Sequence, residues 1–206
     1  MSSIEFMPQR FCADALPEHD RLVQWREACG RTIMRMDVEP LNGEPFQCEA
    51  VLRRLPGFAF ASFWTSPIRA SRTRALVADG NDALVLVLSL HGTTTVSSHG
   101  RDVTLGGGGA TLISAAEPTT LAVHTPSHLH CLALPFASLV PLVPDLDTLF
   151  AAAVPGDGEA VGLLATFLDS LCGEIALSRP ELLGTLARQV CELAALALGA
   201  RRAGPD

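Results

Sequence analysis

The run at residues 83–90, ALVLVLSL, constrains this chain more than any other stretch. It is apolar at odd and even positions alike and too short for a helix that crosses a globular core, so it reads as a strand buried on both faces. Such a strand needs a covering layer on each side, and the residues after it supply short strands and tight turns. Residues 96–98 and 101–105 flank His99-Gly100, where glycine provides the positive φ of a two-residue turn. The glycines at 106–109 force a corner before residues 110–115, Glu117-Pro118 breaks the chain, and TTLAVHTPSHLHCLALP closes the region at Pro135. Strands this short at this spacing predict a barrel or a sandwich.

Upstream, Pro17 and Gly30 bracket a segment with Leu22, Trp25, Cys29 and Ile33 on one helical face, which predicts a helix over residues 17–29 lying against the sheets through Trp25. VEPLNGEP reads as a linker. From Phe46 the period drops to two: Phe46, Cys48, Ala50 and Leu52 alternate with Gln47, Glu49 and Arg53, and Pro56-Gly57 turns the chain. In the next strand Phe58, Phe60, Ser62 and Trp64 are expected to look inward, with Ala59, Ala61 and Phe63 on the other face. In IRASRTRAL, Arg72 and Arg74 are expected to share a face.

Beyond Pro135 the prolines of FASLVPLVPDLDTLF allow only short helical turns. Two helices follow. The first is expected over residues 159–177, capped by Asp157, with Leu163, Leu164, Phe167, Leu168, Leu171 and Ile175 helically spaced. The second has Ser178 and Glu181 at capping-box spacing, Pro180 in its first turn, a stripe of Leu182, Leu183, Leu186, Val190, Leu193 and Ala197, and Gly199, Arg201 and Arg202 at its C-terminal end. Leu177, Cys191, Leu196 and Leu198 fall outside the stripes, so the pair carries more apolar surface than one contact needs. Either the sheets cover both sides or a second copy does; dimerisation through Leu182, Leu186, Val190, Leu193 and Leu196 is the expectation.

Composition removes several classes of function. All fifteen basic residues are arginine and there is no lysine or tyrosine, which excludes Schiff-base, P-loop-lysine and tyrosine-acid chemistry on these residues. A formal charge of -7 argues against direct binding of nucleic acid, whose affinity rests on phosphate neutralisation. No apolar run approaches the about eighteen residues of a membrane span, and MSSIEFMPQRF places charges where a signal peptide would be apolar. The six cysteines include no CxxC pair, as expected for reduced thiols of a cytoplasmic protein without a membrane partner. GxSxG, HExxH and GxxxxGK[ST] motifs are absent, so no enzyme activity and no cofactor are expected.

A helix, a barrel of about eight strands and an antiparallel helix pair in that order, carried by RFCADALPEHDRLVQWREACGR, FWTSPIRASRTRALV, HGRDVTLGGGGATLISAAEP and LPFASLVPLVPDLDTL, resemble the N-terminal cupin-like sensor domain of AraC-type transcription regulators. The resemblance runs over residues 10–202. It implies an α+β fold: an N-terminal arm and helix over 1–45, a cupin-like antiparallel β-barrel over 46–135, and an antiparallel helix hairpin for dimerisation over 136–206 that ends in a linker, ARRAGPD. It implies a bacterial regulator that encloses a small-molecule effector, forms a homodimer, and acts on DNA only through helix-turn-helix units attached beyond Asp206. One departure is the corner at 106–110, where Gly-Gly-Gly-Gly-Ala stands in place of a Gly-Pro-Gly-Asp type of turn.

Within that frame Phe58, Phe60 and Trp64 are candidates to floor the effector cavity, unless they are simply packed core. Arg72 and Arg74, with Arg53 and Arg54 as a second pair, could hold an effector carboxylate, though a strand surface explains arginines equally. His124, His128 and His130 bracket Thr125-Pro126-Ser127; if that loop joins two paired strands, all three share a face. Metal-binding cupins follow their HxH closely with Glu, whereas here Cys131, Leu132, Ala133 and Leu134 follow, so no metal is expected and His124 and His130 are read as polar groups of a ligand pocket. Convergence of the three would instead favour a metal-dependent cupin enzyme of dioxygenase or isomerase type. His91 and His99 are expected in exposed turns.

Overall fold

The structure, a computed structural model, describes residues 6–154, 158–174 and 177–200. Asp157, Ile175, Arg201 and Arg202, assigned above to helix ends and stripes, lie outside the described residues. Two antiparallel sheets face each other. The first has six strands in the order β1 (Gln9–Cys12), β3 (Cys48–Leu55), β4 (Phe58–Thr65), β11 (Ser127–Leu134), β6 (Leu84–His91) and β9 (Gly109–Ser114). The second has five: β2 (Asp37–Pro40), β5 (Ile68–Arg72), β10 (Thr119–Val123), β7 (Thr94–Ser98) and β8 (Arg101–Leu105). The architecture is a two-sheet, cupin-like jelly roll with eleven strands among the described residues, where the sequence predicted a cupin-like barrel of about eight. The difference lies largely in the edges: β1 comes from the expected arm, and β2 from the expected linker VEPLNGEP.

The strand at 84–91 sits as its composition demands. Leu84, Leu86 and Leu88 face one side, Val85 and Val87 the other, and all five are fully buried. Between the sheets lie the smaller residues of the six-stranded sheet, such as Ala59, Ala61, Val85, Val87 and Cys131, opposite Ile68, Leu121 and Val96. Helix α1 (Glu18–Thr32) closes this space by inserting Trp25 against Phe11, Phe46 and Phe63, at ring-centroid distances of 5.3, 6.4 and 5.2 Å. Gly30 does not end the helix; Thr32 does, its hydroxyl bonded back to the Ala28 carbonyl.

The opposite face of the six-stranded sheet carries the larger side chains: Phe58, Phe60, Leu84, Leu86, Leu88, Leu132 and Leu134. On it pack two short elements, α2 being elsewhere (Arg74–Val77, after β5): α3 (Phe136–Leu139) and a 3-10 turn at Leu146–Thr148. Residues 150–154 then run along β9, with Ala151 and Val154 donating to the carbonyls of Leu112 and Ala110, which covers that sheet edge. Helices α4 (Gly158–Ser170) and α5 (Pro180–Ala197) complete the layer. The first is shorter than the expected 159–177, and Arg179, without a side-chain cap bond, precedes the second in place of a Ser178 capping box.

The alternation read in β4 is present but its sense is reversed. Phe58 and Phe60 lie under the helices, Ala59, Ala61 and Phe63 line the space between the sheets, and Trp64 projects past the helical layer with 48% of its surface exposed. Both faces of β4 are apolar, so period two separates them without saying which is which. The small residues mark the inner face because Trp25 fills that volume.

Two turns with positive φ shape the five-stranded sheet's hairpin and the crossing into it. His99-Gly100, with φ of 55° and 70°, makes the tight turn between β7 and β8. At the crossing from β6 to β7, Gly92 has φ 88° and no Cβ could fit there against Ser127.

Arg72 ends β5 inside the molecule. Its side chain is fully buried and donates to Asp79 Oδ1 at 2.7 Å, to the carbonyl of Ala115 at 2.6 Å and to that of Arg35 at 3.0 Å. Arg74 opens α2 on the surface, so the two arginines share no face. Removing Asp79 leaves a buried guanidinium without its carboxylate. Asp79→Ala is therefore expected to lower stability by about 3 kcal/mol in urea unfolding, and a loss below about 1 kcal/mol would show that the carbonyls alone satisfy Arg72.

Candidate effector chamber and the polar groove on the outer sheet face

Two places in the fold gather side chains that could meet a ligand. The first is the space between the sheets beneath α1. Its walls are Trp25, Cys29, Ile33, Met34, Met36 and Val38 from α1, β2 and the residues joining them, with Phe63, Val87, Leu129 and Cys131 from the six-stranded sheet and Ile68, Ala70, Leu121 and Val123 from the other. The residual cavity is small, about 40 Å³. Burial pushes the Cys29 thiol up to about 12 and the Cys131 thiol higher, so both behave as apolar groups at neutral pH. Among the described residues lining the chamber, Arg26 is the one charged side chain. It sits next to Trp25 on α1, its guanidinium donates to the Val38 carbonyl, and it also lines the surface cleft outside the helix.

The second place is the outer face of the six-stranded sheet where the helices no longer cover it. Strand register brings Cys12, Glu49, Trp64, His128 and His91 into one row across β1, β3, β4, β11 and β6. His128 stacks on the Trp64 indole at 4.7 Å, and its Nε2 lies 3.1 Å from Ser62 Oγ. One step inward His130 is fully buried, and α4 lays Asp169 Oδ1 at 3.1 Å from its Nε2. That contact is not aligned as a hydrogen bond, and neither ring nitrogen of His130 has an aligned partner among the described residues. Arg10, Glu49, Trp64, Ser62, His128, Asp169 and Cys172 line an open groove of about 470 Å³ here. Beside it Arg53, fully buried on β3, donates to the carbonyls of Phe6 and Leu171 at 2.9 and 2.8 Å, tying the sheet to the end of α4.

The expected site residues therefore separate. His124 is exposed on the outer face of the other sheet, its Nε2 2.9 Å from Thr95 Oγ1, because residues 124–126 cross between sheets and do not form a hairpin. The three histidines do not converge. Among the described residues no group of three His, Cys, Asp or Glu is placed to hold a metal ion. Phe58 and Phe60 are covered by the helical layer, Arg72 is occupied by Asp79, and Arg74 is on the surface; Trp64 lines the outer groove, and His130 is buried beneath it, next to His128. Val190 is fully buried within the chain, whereas Leu182, Leu186 and Leu193 are half-buried and Leu196 is exposed. Arg26 and Asp169 went unread. Arg26 is a single charge flanking the anchor Trp25, and Asp169 is an acid set into an apolar helix, a signal visible in the sequence only once the sheet beneath it is known.

The fold of two sheets, a roofing helix and an outer helical layer is that of the AraC-like transcriptional activator CuxR, to which the chain is similar over 97% of its own length and 72% of CuxR, with a TM-score of 0.74 and 17% identity. Smaller overlaps exist with the EutQ protein of Clostridium difficile (12% identity, 44% of this chain and 69% of that one, TM-score 0.36) and with KdgF from Halomonas sp. (14%, 48% and 86%, TM-score 0.36). No curated protein sequence matches the chain. Residues 25–199 match the AraC-binding-like domain, and the chain belongs to that family. It is thus an effector-binding regulatory domain of the AraC type, as the resemblance in its sequence implied.

The groove histidines carry a pH dependence. Burial, opposed by the Asp169 carboxylate, holds both His128 and His130 below the usual imidazole range; His91 adds to the lowering at His128, and His128 to that at His130. With folded values below the unfolded one, the unfolded chain binds more protons as pH falls. Stability from these groups is present above about pH 6.5 and lost as pH falls through the folded values. The urea midpoint is expected to fall between about pH 7.5 and 5.5, with a shallower fall in His130→Gln. An identical pH slope in that variant would contradict the assignment.

Proposed function

We propose that this chain is the sensing and dimerising part of a cytoplasmic, bacterial AraC-type transcription regulator, and that its effector is a small apolar molecule bearing one carboxylate. The observation that carries the reading is the chamber between the sheets, apolar on every wall and served by one guanidinium, Arg26. Arginine suits a carboxylate because its fork of donors matches two oxygens. This role was expected of Arg72 and Arg74. Arg26 takes it because it is the charged residue, among those described, that lines both the chamber and the cleft outside it.

A residual volume of about 40 Å³ admits a group no larger than a water or two, so a ligand enters only as α1 moves outward and the flexible Met34 and Met36 repack. α1 rests on β3 and β4. The reverse face of those strands holds the helical layer, and Arg53 fixes the C-terminal end of α4. Effector binding would favour one of two arrangements of α1, sheet and hairpin, and so shift DNA-binding units joined to the chain.

Dimerisation would run along α5. Leu182, Leu186, Gln189, Leu193 and Leu196 follow one another at steps of four and three, the spacing of a coiled-coil seam, and none is fully buried. Val190 does not belong to this seam because it packs inward.

Two measurements test the reading. In a thermal-shift series, 3-phenylpropionate and short fatty acids are expected to raise Tm while their neutral amides do not, and Arg26→Gln to abolish the difference. Equal stabilisation by acid and amide would overturn the carboxylate assignment. In light scattering, Leu186→Glu is expected to convert a dimer to a monomer with an unchanged circular-dichroism spectrum; a wild-type monomer, or a dimeric variant, would remove the seam.

A further inference from the structure

The groove on the outer sheet face lies on the far side of the six-stranded sheet from the chamber, and it has the opposite electrostatic character. Among the described residues that line it the one arginine, Arg10, lies 3.9 Å from Glu174. Glu49 and Asp169 remain. Neither has a basic ion-pair partner among the described residues except His130 at Asp169, and that imidazole is held neutral by burial. His128 is neutral for the same reason. The half-exposed indole of Trp64 lines the same groove, with Glu49 its cross-strand neighbour on β3 and Asp169 contributed by α4.

An indole face beside two carboxylates that no arginine among the described residues ion-pairs is the chemistry of ammonium recognition, in which the ring quadrupole and the formal charges attract together. The volume, about 470 Å³, is that of a small-molecule site. A second observation points the same way: His130, beneath the groove, is fully buried and its ring nitrogens have no aligned partner among the described residues. Its Nε2 is directed at the same Asp169 that lines the groove, so an ammonium drawing that carboxylate into a fixed position would also align the contact below it.

We infer that this groove is a second ligand site, separate from the chamber, for a small organic cation: a primary ammonium on an aromatic or aliphatic body, its charge between Asp169 and Glu49 and its body against Trp64. Because Glu49 belongs to the sheet and Asp169 to α4, the bound cation bridges the two layers. The site does not rest on the chamber reading, and the two can fail independently.

The two tryptophans make the test specific, since Trp25 lines the chamber and Trp64 the groove. In the full chain with ¹⁵N-labelled tryptophan, phenethylamine, phenethyl alcohol and 3-phenylpropionate present one body as cation, neutral and anion. Phenethylamine is expected to shift the Trp64 indole signal with saturation near about 1 mM, and the alcohol and the acid to leave it in place. Asp169→Asn and Glu49→Gln, each checked for folding by the unchanged Trp25 signal, are expected to weaken the amine by about tenfold, the scale of one lost charge contact. An equal Trp64 shift with the acid, amine binding that survives both variants, or no saturation by about 10 mM overturns the inference. A Trp25 shift with the acid alone speaks only to the chamber.

Discussion

A sheet that is buried on both faces must be covered twice, and this one requirement arranges the molecule. The middle strands β4, β11 and β6 have no solvent face through most of their length: Phe60, Leu86 and Leu132 are fully buried on one side, Ala61 and Val87 on the other. One side is closed by the five-stranded sheet and by Trp25 of α1, and the other by α3, α4, α5 and the segment that seals β9. Each such strand loses hydration on both faces, so removing either cover exposes a continuous apolar surface. The two covers are thereby energetically joined through a partition one strand thick. This coupling would make the proposed ligand chamber on one side relevant to the proposed dimer seam on the other.

The partition is not uniform. Where the helices stop, the outer face changes from leucine and phenylalanine to Ser62, Trp64, His128 and His130, and polar contacts replace packing. Arg53 and the His130–Asp169 pair mark that boundary, and both reach the end of α4. A buried guanidinium bonded to carbonyls cannot slide without losing several bonds together, so the end of α4 is more tightly bound to β3 than apolar contact alone would make it. The opposite end of the helical layer is held by leucine packing, which accommodates small shifts.

Much of this was legible. The run at 83–90 announced a doubly covered strand, His99-Gly100 a tight turn, Trp25 an anchor, the prolines after 135 a broken helical segment, and the succession of segments the AraC-type family. What was not legible depended on distances between elements. Both faces of β4 are apolar, so no period could say that Phe58 and Phe60 face the helices. His124 and His128 lie four residues apart, and whether they meet depends on whether residues 124–126 turn back or cross to the other sheet. They cross. Arg72 reads like a surface arginine until Asp79 and two carbonyls close around it, and Asp169 gains meaning only from the strand on which α4 lies. The edge strands β1 and β2 have neither length nor alternation enough to be seen against the arm and linker they interrupt.

The central claim is that the chamber and the α5 seam are linked through the shared sheet. Linkage is reciprocal, so a chamber ligand that favours one arrangement must change the strength of the dimer. The direct measurement is the dimer dissociation constant by sedimentation equilibrium, without ligand and at saturation with a carboxylate that stabilises the wild type but not Arg26→Gln. The account predicts a change of about fivefold or more, in either direction, that Arg26→Gln does not show. The same dissociation constant with and without the ligand would contradict it.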